Sequence, residues 1–302
     1  MSTSEQFDQF SDRIAAGQPL TPDEIRGLAA SPDILALGML ADAAKRRRHG
    51  TRVTFLRVAV CAFDADPAAA LLPAARELRL TGTPASLNDA LRAVARARAV
   101  AGTRTLSGFT WSDVEQLSGL DIDGALEQLR SAGLDAIAEL PLDAADVAVA
   151  LEHVTAAGFQ QARLTVQKGT PGDRAGLLLG ASALGDRFSI VKAINPLPLA
   201  LSSFRPTTGY DDVKMVALAR LAAPGIRHVQ VDWARYGPKL AQVALSFGAD
   251  DVDGVSGTDE APEGRRRAPL EEITRNIEAA GFEPVERDGR FGLPGGSDRA
   301  RG

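Results

Sequence analysis

The sequence predicts an α/β protein, a (β/α)8 barrel with a helical extension at its N-terminus. Short apolar runs rich in β-branched residues alternate with amphipathic helical patterns along the chain. Eight such runs in 302 residues, 45% of them hydrophobic, are enough for one large barrel domain. A doubly wound open sheet is the alternative fold, but its phosphate-binding pattern G-x-G-x-x-G is absent.

The expected strands and their boundaries come from the apolar runs in chain order. They are residues 53–60, 78–81, 104–108, 135–140, 162–167, 188–194, 228–232 and 250–255. Helical patterns such as "LNDALRAVARARAV" and "AADVAVALEHVTAAG" lie between them, and several end in a glycine that caps a helix C-terminus. We therefore divide the chain into a helical extension (1–50), a barrel (51–288) and a flexible tail rich in glycine and charge (289–302).

Two features stand out in the extension. Thr21 and Pro22 followed by two acidic residues form a helix N-terminus. The basic run "KRRRH" before Gly50 fits either a phosphate contact or, as we favour, cations that complement the C-terminal end of a helix dipole.

Composition excludes several classes of protein. The formal net charge of −5 gives no general attraction to nucleic acid. No run of 18 apolar residues predicts a membrane span, and the polar, acidic N-terminus lacks the features of a secretory signal. The single cysteine excludes an intramolecular disulfide. These observations predict a cytoplasmic protein.

The second half carries a resemblance to a known family. The segments "RPTTGYDDVKMVALARL", "HVQVDWARYGPKLAQVALSFGADDVDG" and "EEITRNIEAAGFEPVERD" resemble aminofutalosine synthase, and "SPDILALGMLADAAKRRRHGTRVTF" matches the entry to the same family. These are radical S-adenosylmethionine enzymes of the futalosine route to menaquinone, related to the dehypoxanthine futalosine cyclase and to synthase subunits of the deazaflavin cofactor. The resemblance implies a barrel of the radical S-adenosylmethionine type.

The family's cluster loop is altered in this chain. The family holds a [4Fe–4S] cluster through a C-x3-C-x2-C loop after the first strand, and the loop ends in "CAF". Here the segment reads "VAVCAFDADP", so Cys61 looks like a relic, with only His49 and Asp64 as weak helpers. We expect no metal and no cofactor. The alternative is a chain that binds the cluster and S-adenosylmethionine through atypical cluster ligation.

Candidate site residues lie where strands are expected to end, because ligand sites of such barrels are on that face. Alternate residues share a face, so Gln230 with Asp232, and Lys192 with Ile194, are expected in the lumen. These polar groups form either a structural network or a pocket. The predicted catalytic residues are Glu139, Lys192 and Asp251, and the predicted ligand-binding residues are Gln167, Lys168, Asn195, Arg205, Gln230, Asp232, Trp233 and Asp250.

Several of these residues keep two interpretations. The pair Asp250 and Asp251 fits acid–base work or loop capping. Arg205 is a candidate for a ligand carboxylate, which the resemblance places near the mouth, or a surface arginine. Trp233 forms the pocket floor or fills the core.

Three hypotheses for function follow. The leading one is a pseudoenzyme or accessory protein of menaquinone biosynthesis, which binds a small polar or nucleoside-like ligand, or the active synthase of the pathway. The second is a lyase or hydrolase that reuses the pocket without radical chemistry. The third is an aminofutalosine synthase with atypical cluster ligation.

Overall fold

The computed structural model describes residues 3–144, 146–166, 171–198, 209–264 and 266–293, without the side chains of 3–5 and 171–174. The predicted site residues Gln167, Lys168 and Arg205 lie outside the described residues, as does the predicted tail from 294 onward.

Eight parallel strands close into a barrel, which confirms the predicted fold. Neighbours follow chain order from β2 to β8, and β1 pairs with both β2 and β8. The strands are β1 (Arg52–Ala62), β2 (Glu77–Thr81), β3 (Thr105–Thr110), β4 (Ala136–Pro141), β5 (Ala162–Val166), β6 (Val191–Pro196), β7 (His228–Asp232) and β8 (Asp251–Ser256).

Two strands differ from the sequence prediction. The sixth begins at Val191 rather than at 188, because Phe188 and Ile190 are buried in the turn that precedes it. A ninth strand, β9 (Glu283–Glu286), was missed because "EPVE" is short and polar. It pairs with the first residues of β1, which β2 leaves unpaired because the β1–β2 ladder starts only at Val58.

The helices surround the barrel and begin where the capping patterns indicate. Thr21 forms a capping box with Glu24, and Gly50 ends its helix with a φ of 64°. The helices are α1 (Thr3–Ala15), α2 (Pro22–Ala30), α3 (Ile34–His49), α4 (Pro67–Ala70), α5 (Leu87–Ala101), α6 (Trp111–Ser118), α7 (Ile122–Ser131), α8 (Val147–Ala156), α9 (Pro171–Arg187), α10 (Tyr210–Ala222), α11 (Trp233–Leu245, interrupted at Gly237) and α12 (Pro269–Ala279). No described helix is both long and apolar enough to cross a bilayer.

The N-terminal extension packs on the outside of the barrel, where α3 contacts α10 and α2 contacts α9 and α10. The basic run at the end of α3 binds backbone carbonyl groups. Arg48 donates to the carbonyl oxygens of Pro224 (2.6 Å) and Ile226 (2.7 Å), just beyond α10. The Lys45 side chain is fully buried and donates to the carbonyl oxygen of Leu245 (2.5 Å). The run therefore attaches the extension to the barrel.

Apolar and polar residues separate to the two faces of the strands. On β7, Val229 and Val231 are buried toward the helices, whereas Gln230 and Asp232 face the lumen. The hydrophobic core thus lies between the strands and the helices, and the lumen contains charged side chains. This separation places the candidate site inside the barrel.

Candidate functional site at the mouth of the barrel

A buried ionic cluster forms the floor of the mouth. Asp253 of β8 accepts two hydrogen bonds from Arg79 of β2, at 2.9 and 3.0 Å, and is also paired with Arg163 of β5. Burial alone would raise the pKa of Asp253, but Arg163 and Arg79 outweigh it and hold that pKa well below its usual range. Glu77 accepts a hydrogen bond from Arg79 at 2.6 Å. We call Glu77, Arg79, Arg163 and Asp253 the floor cluster.

A second layer closes the lumen below this cluster. Asp251 accepts two hydrogen bonds from Arg287, at 2.6 and 2.8 Å, and one each from Thr54 (2.5 Å) and Gln230 (2.6 Å). Arg287 directly follows β9, the strand that the sequence did not predict, and its guanidinium neutralises this carboxylate. Both Asp251 and Gln230 are 0% exposed. A carboxylate so fully bonded and enclosed cannot reach a ligand at the mouth.

The mouth itself presents oxygen atoms that lack partners. Thr165 ends β5 beside Asn195 of β6, and the two are paired in register. They are 1% and 2% exposed, yet Thr165 Oγ1 and Asn195 Oδ1 have no hydrogen-bond partner in the structure as described. Leaving such atoms buried and unpaired costs about 1–3 kcal/mol each. Two such atoms on register-paired residues leave unused hydrogen-bonding capacity at this end of the lumen, among the residues that the structure describes.

Asp232 lies on the same face, where β7 passes into α11. It is paired in register with Asp253, and one oxygen accepts a hydrogen bond from the backbone N–H of Arg235 at 2.9 Å. Burial and the neighbouring Asp253 raise the pKa of Asp232. Because Asp232 is buried beside a second carboxylate, it holds its proton more tightly than an exposed aspartate does.

An ion pair crosses the rim of the mouth. Arg235 at the start of α11 donates to Glu139 of β4 at 2.6 Å, and the Glu139 side chain is 16% exposed. Trp233 is partly buried and packs against the hydrophobic core. The arrangement favours its core-filling interpretation.

Cys61 does not face the mouth. Its neighbours on β1, Val60 and Ala62, are exposed, whereas Cys61 is 2% exposed within the hydrophobic core. The register explains this, because Val60 pairs with Arg79 of the lumen and Cys61 pairs with Leu80. Burial raises the pKa of the Cys61 thiol, which disfavours the thiolate that a metal ligand needs.

Two groups of predicted residues lie elsewhere. Asp250 and Asp251 were expected where the eighth strand ends, which is wrong, because β8 begins at Asp251 and both lie at its opposite end. Lys192 does not share the lumen, since Ala193 pairs with Arg163 and alternate residues face opposite sides. Its ammonium group donates to the carbonyl oxygen of Ser189 (2.8 Å), where the strand begins.

Asn195, Asp232 and Glu139 lie at the mouth, and their roles there stay predictions. The charges beneath them were not predicted from the sequence. Arg79, Arg163 and Asp253 each stand between apolar neighbours, in "LRL", "ARL" and "VDG". A single charge at an alternate position of an otherwise apolar strand was the signal. It marks a side chain directed into a polar lumen rather than toward the helices.

Solved structures of known proteins share this barrel fold. The chain is similar to crystal structures of methylornithine synthase PylB (TM-score 0.64, 15% identity, 91% of this chain and 97% of that one). It is also similar to the hydrogenase maturase HydG from Carboxydothermus hydrogenoformans (TM-score 0.67, 14% identity, 95% and 81%). The chain thus shares its TIM-type (β/α)8 barrel fold with these two proteins.

Sequence comparison then identifies the relatives more narrowly. Residues 200–294 match the family model of the CofH/MqnC C-terminal region. The chain is 24% identical to aminodeoxyfutalosine synthase of Thermus thermophilus, over 93% of this chain and 94% of that enzyme. It is 23% identical to cyclic dehypoxanthine futalosine synthase of Streptomyces coelicolor, over 91% and 86%. The chain is therefore a relative of the aminofutalosine synthases, as its segments predicted.

Another match is closer but shorter. A 5-amino-6-(D-ribitylamino)uracil–L-tyrosine 4-hydroxyphenyl transferase of Archaeoglobus fulgidus is 37% identical over 94 residues, which are 29% of this chain and 27% of that protein. The chain thus aligns with about a quarter of the length of this relative.

These relatives correct one prediction. We expected no cofactor. This expectation is wrong, because the homologues are radical enzymes that use a [4Fe–4S] cluster and S-adenosylmethionine. The residues of this chain do not fit a thiolate-held cluster. Such clusters are bound by several cysteine thiolates, and the one cysteine here is buried and faces the helices.

Proposed function

We propose that this chain is a ligand-binding relative of the aminofutalosine synthases, with an accessory role in menaquinone biosynthesis. The ligand is a small polar or nucleoside-like intermediate held at the mouth of the barrel. The observation that supports this best is the pair of buried, unpartnered oxygen atoms, Thr165 Oγ1 and Asn195 Oδ1, on adjacent strand ends.

The chemistry of the mouth favours a ligand rich in hydrogen-bond donors. The amide oxygen of Asn195 accepts one hydrogen bond, and the hydroxyl of Thr165 accepts or donates another. Asp232 adds a carboxyl group whose raised pKa suits either a hydrogen bond or a proton transfer. The amino groups of a nucleobase and the hydroxyl groups of a ribose supply such donors. The floor cluster beneath is already neutralised, so it stabilises the mouth without demanding a counter-ion.

A second candidate is a lyase or hydrolase in which Asp232 or Glu139 moves a proton. The raised pKa of Asp232 is the observation that favours it. Binding without turnover and binding with turnover are separated by product analysis after incubation with the ligand.

The partner proposal is independent of the mouth. An accessory protein of this family is expected to associate with the active synthase of the same pathway, and co-purification of the two proteins tests this. Dissociation of the complex by a mouth-binding nucleoside would connect the two roles.

Thermal-shift and calorimetric titrations test the binding proposal, with futalosine-type nucleosides, chorismate-derived enol ethers and S-adenosylmethionine as probes. We expect one probe to raise the melting temperature of the wild type. Thr165→Val and Asn195→Leu should weaken its binding at least tenfold, while Asn88→Leu on the exposed face of α5 leaves it unchanged.

The same preparation, purified without air, is analysed for iron and sulfide. Stoichiometric iron and sulfide, together with cleavage of S-adenosylmethionine, would contradict the accessory role. Equal binding by the wild type and both mouth variants would remove the mouth as the ligand site.

A further inference from the structure

Two imidazoles and a carboxylate converge beneath the barrel, at the opposite end from the mouth. His49 ends α3, His228 begins β7, and Asp250 precedes β8. One donor atom from each of the three residues lies within 4.8 Å of the others. Asp250 Oδ2 is 2.6 Å from His228 Nδ1 and 3.5 Å from His49 Nε2. We call these three residues the basal triad.

The carboxylate of this triad is held so that one oxygen is left for the imidazoles. Asp250 Oδ1 accepts hydrogen bonds from the backbone N–H of Val229 (2.9 Å) and from the Arg220 guanidinium. Oδ2 therefore points at both histidines. Orientation of a ligating carboxylate by outer hydrogen bonds is the usual arrangement around protein-bound metals.

We propose that the basal triad binds a borderline divalent cation such as Zn²⁺. Two imidazole nitrogens and one carboxylate oxygen suit Zn²⁺, which binds nitrogen at about 2.0–2.1 Å and oxygen at about 2.0–2.2 Å. Tetrahedral coordination at those lengths puts neighbouring donors roughly 3.3–3.5 Å apart. His49 Nε2 and Asp250 Oδ2 already have this spacing, whereas His228 Nδ1, 2.6 Å from Asp250 Oδ2, has to move away from that oxygen by about 0.7–0.9 Å.

Binding requires no redox change and no co-reactant. His228 Nδ1 offers its lone pair when the ring proton is on Nε2, and the hydrogen bond between His228 and Asp250 is then exchanged for two bonds to the cation. His49 Nε2 lies 3.1 Å from the carbonyl oxygen of Arg227, so this contact is given up when that nitrogen binds the cation and the ring proton moves to Nδ1. The imidazoles are 11% and 12% exposed and the carboxylate is 1% exposed. A cation can thus enter from solvent, and water takes the fourth position.

The triad joins three separate parts of the chain. His49 belongs to the N-terminal extension, whereas His228 and Asp250 belong to the barrel. A bound cation would therefore fasten the extension to the barrel, beside the bonds of Arg48. The role that follows is structural, independent of the ligand at the mouth.

Titration of the tag-free full chain with Zn²⁺ tests the proposal, by calorimetry and by the absorption bands of bound Co²⁺. We expect one cation per chain, a higher melting temperature with Zn²⁺, and at least tenfold weaker binding in both His49→Gln and His228→Gln. The chain has three histidines, so His153→Gln is the matched control. His153 pairs with Asp123 on the surface, and its loss should leave binding unchanged.

Two controls keep the test decisive. Asp250→Asn replaces His228→Gln if that variant does not fold, and Cys61→Ser should bind Zn²⁺ as the wild type does. Absence of binding at millimolar Zn²⁺ would overturn the proposal. So would binding that survives in His49→Gln and disappears in His153→Gln.

Discussion

Lys45 provides a quantitative test of how the extension is attached. Its ammonium group is fully buried, 2.5 Å from the carbonyl oxygen of Leu245, 2.8 Å from Asp42 Oδ1 and 3.3 Å from the centre of the Phe282 ring. Burial, only partly offset by Asp42, lowers the pKa of Lys45 from 10.5 to about 8. The perturbation is Lys45→Met, which keeps the length of the side chain and removes the titrating group.

The size and sign of the effect follow from this pKa. Between pH 8 and 10.5 the unfolded chain binds a proton that the folded chain has lost, so the free energy of unfolding rises with pH through this window. Below it, keeping the buried amine charged costs about 3.4 kcal/mol, since each pKa unit is worth about 1.36 kcal/mol. At pH 9.5 the remaining cost is about 1.4 kcal/mol. From pH 7 to pH 9.5, the free energy of unfolding of the wild type should therefore rise by about 2 kcal/mol relative to that of Lys45→Met.

Urea unfolding followed by circular dichroism at pH 7, 8 and 9.5 measures this difference. Arg46→Met is the matched control, because Arg46 contacts the same Phe282 ring at 4.7 Å and the same Asp42 at 2.6 Å. The guanidinium of arginine stays charged across this range, so the control should follow the pH profile of the wild type. Parallel profiles for the wild type and Lys45→Met would refute the reasoning.

Three further predictions concern the barrel. Asp253→Asn removes the carboxylate that Arg79 and Arg163 share and should lower the free energy of unfolding by about 3–5 kcal/mol. Asp259→Asn breaks the ion pair with Arg57, in which the aspartate is 66% exposed, and should cost less than about 1 kcal/mol; denaturant melts compare the two variants. Thr165→Val removes an unpartnered hydroxyl, so the free energy of unfolding should stay equal or rise by up to about 1 kcal/mol while ligand binding weakens. A lower free energy of unfolding in the absence of ligand would contradict the claim that this hydroxyl has no hydrogen-bond partner. Cys61 should react with Ellman's reagent only after unfolding; rapid labelling of the folded protein would show an accessible thiol.

Local patterns in the sequence were sufficient for the elements and their order. The alternation of apolar runs with helical segments predicted all eight barrel strands, because hydrophobic periodicity and capping residues act over a few neighbouring positions. Thr21 and Gly50 begin and end helices where their residue types indicate. The family relationship was readable from segments such as "KLAQVALSFGADD", and the relatives confirm it.

Which face of each strand meets the lumen was decided only by the tertiary structure. A period of two defines two faces but does not say which one faces inward; register with the neighbouring strands decides it. For this reason Cys61 points away from the mouth and Lys192 does not share the lumen with Asn195. Long-range pairing, between residues such as Arg79 and Asp253, likewise cannot be read from either segment alone. The sequence determined that polar groups would occupy this barrel. Packing determined which of them neutralise one another and which, like Thr165 Oγ1 and Asn195 Oδ1, have no partner among the described residues.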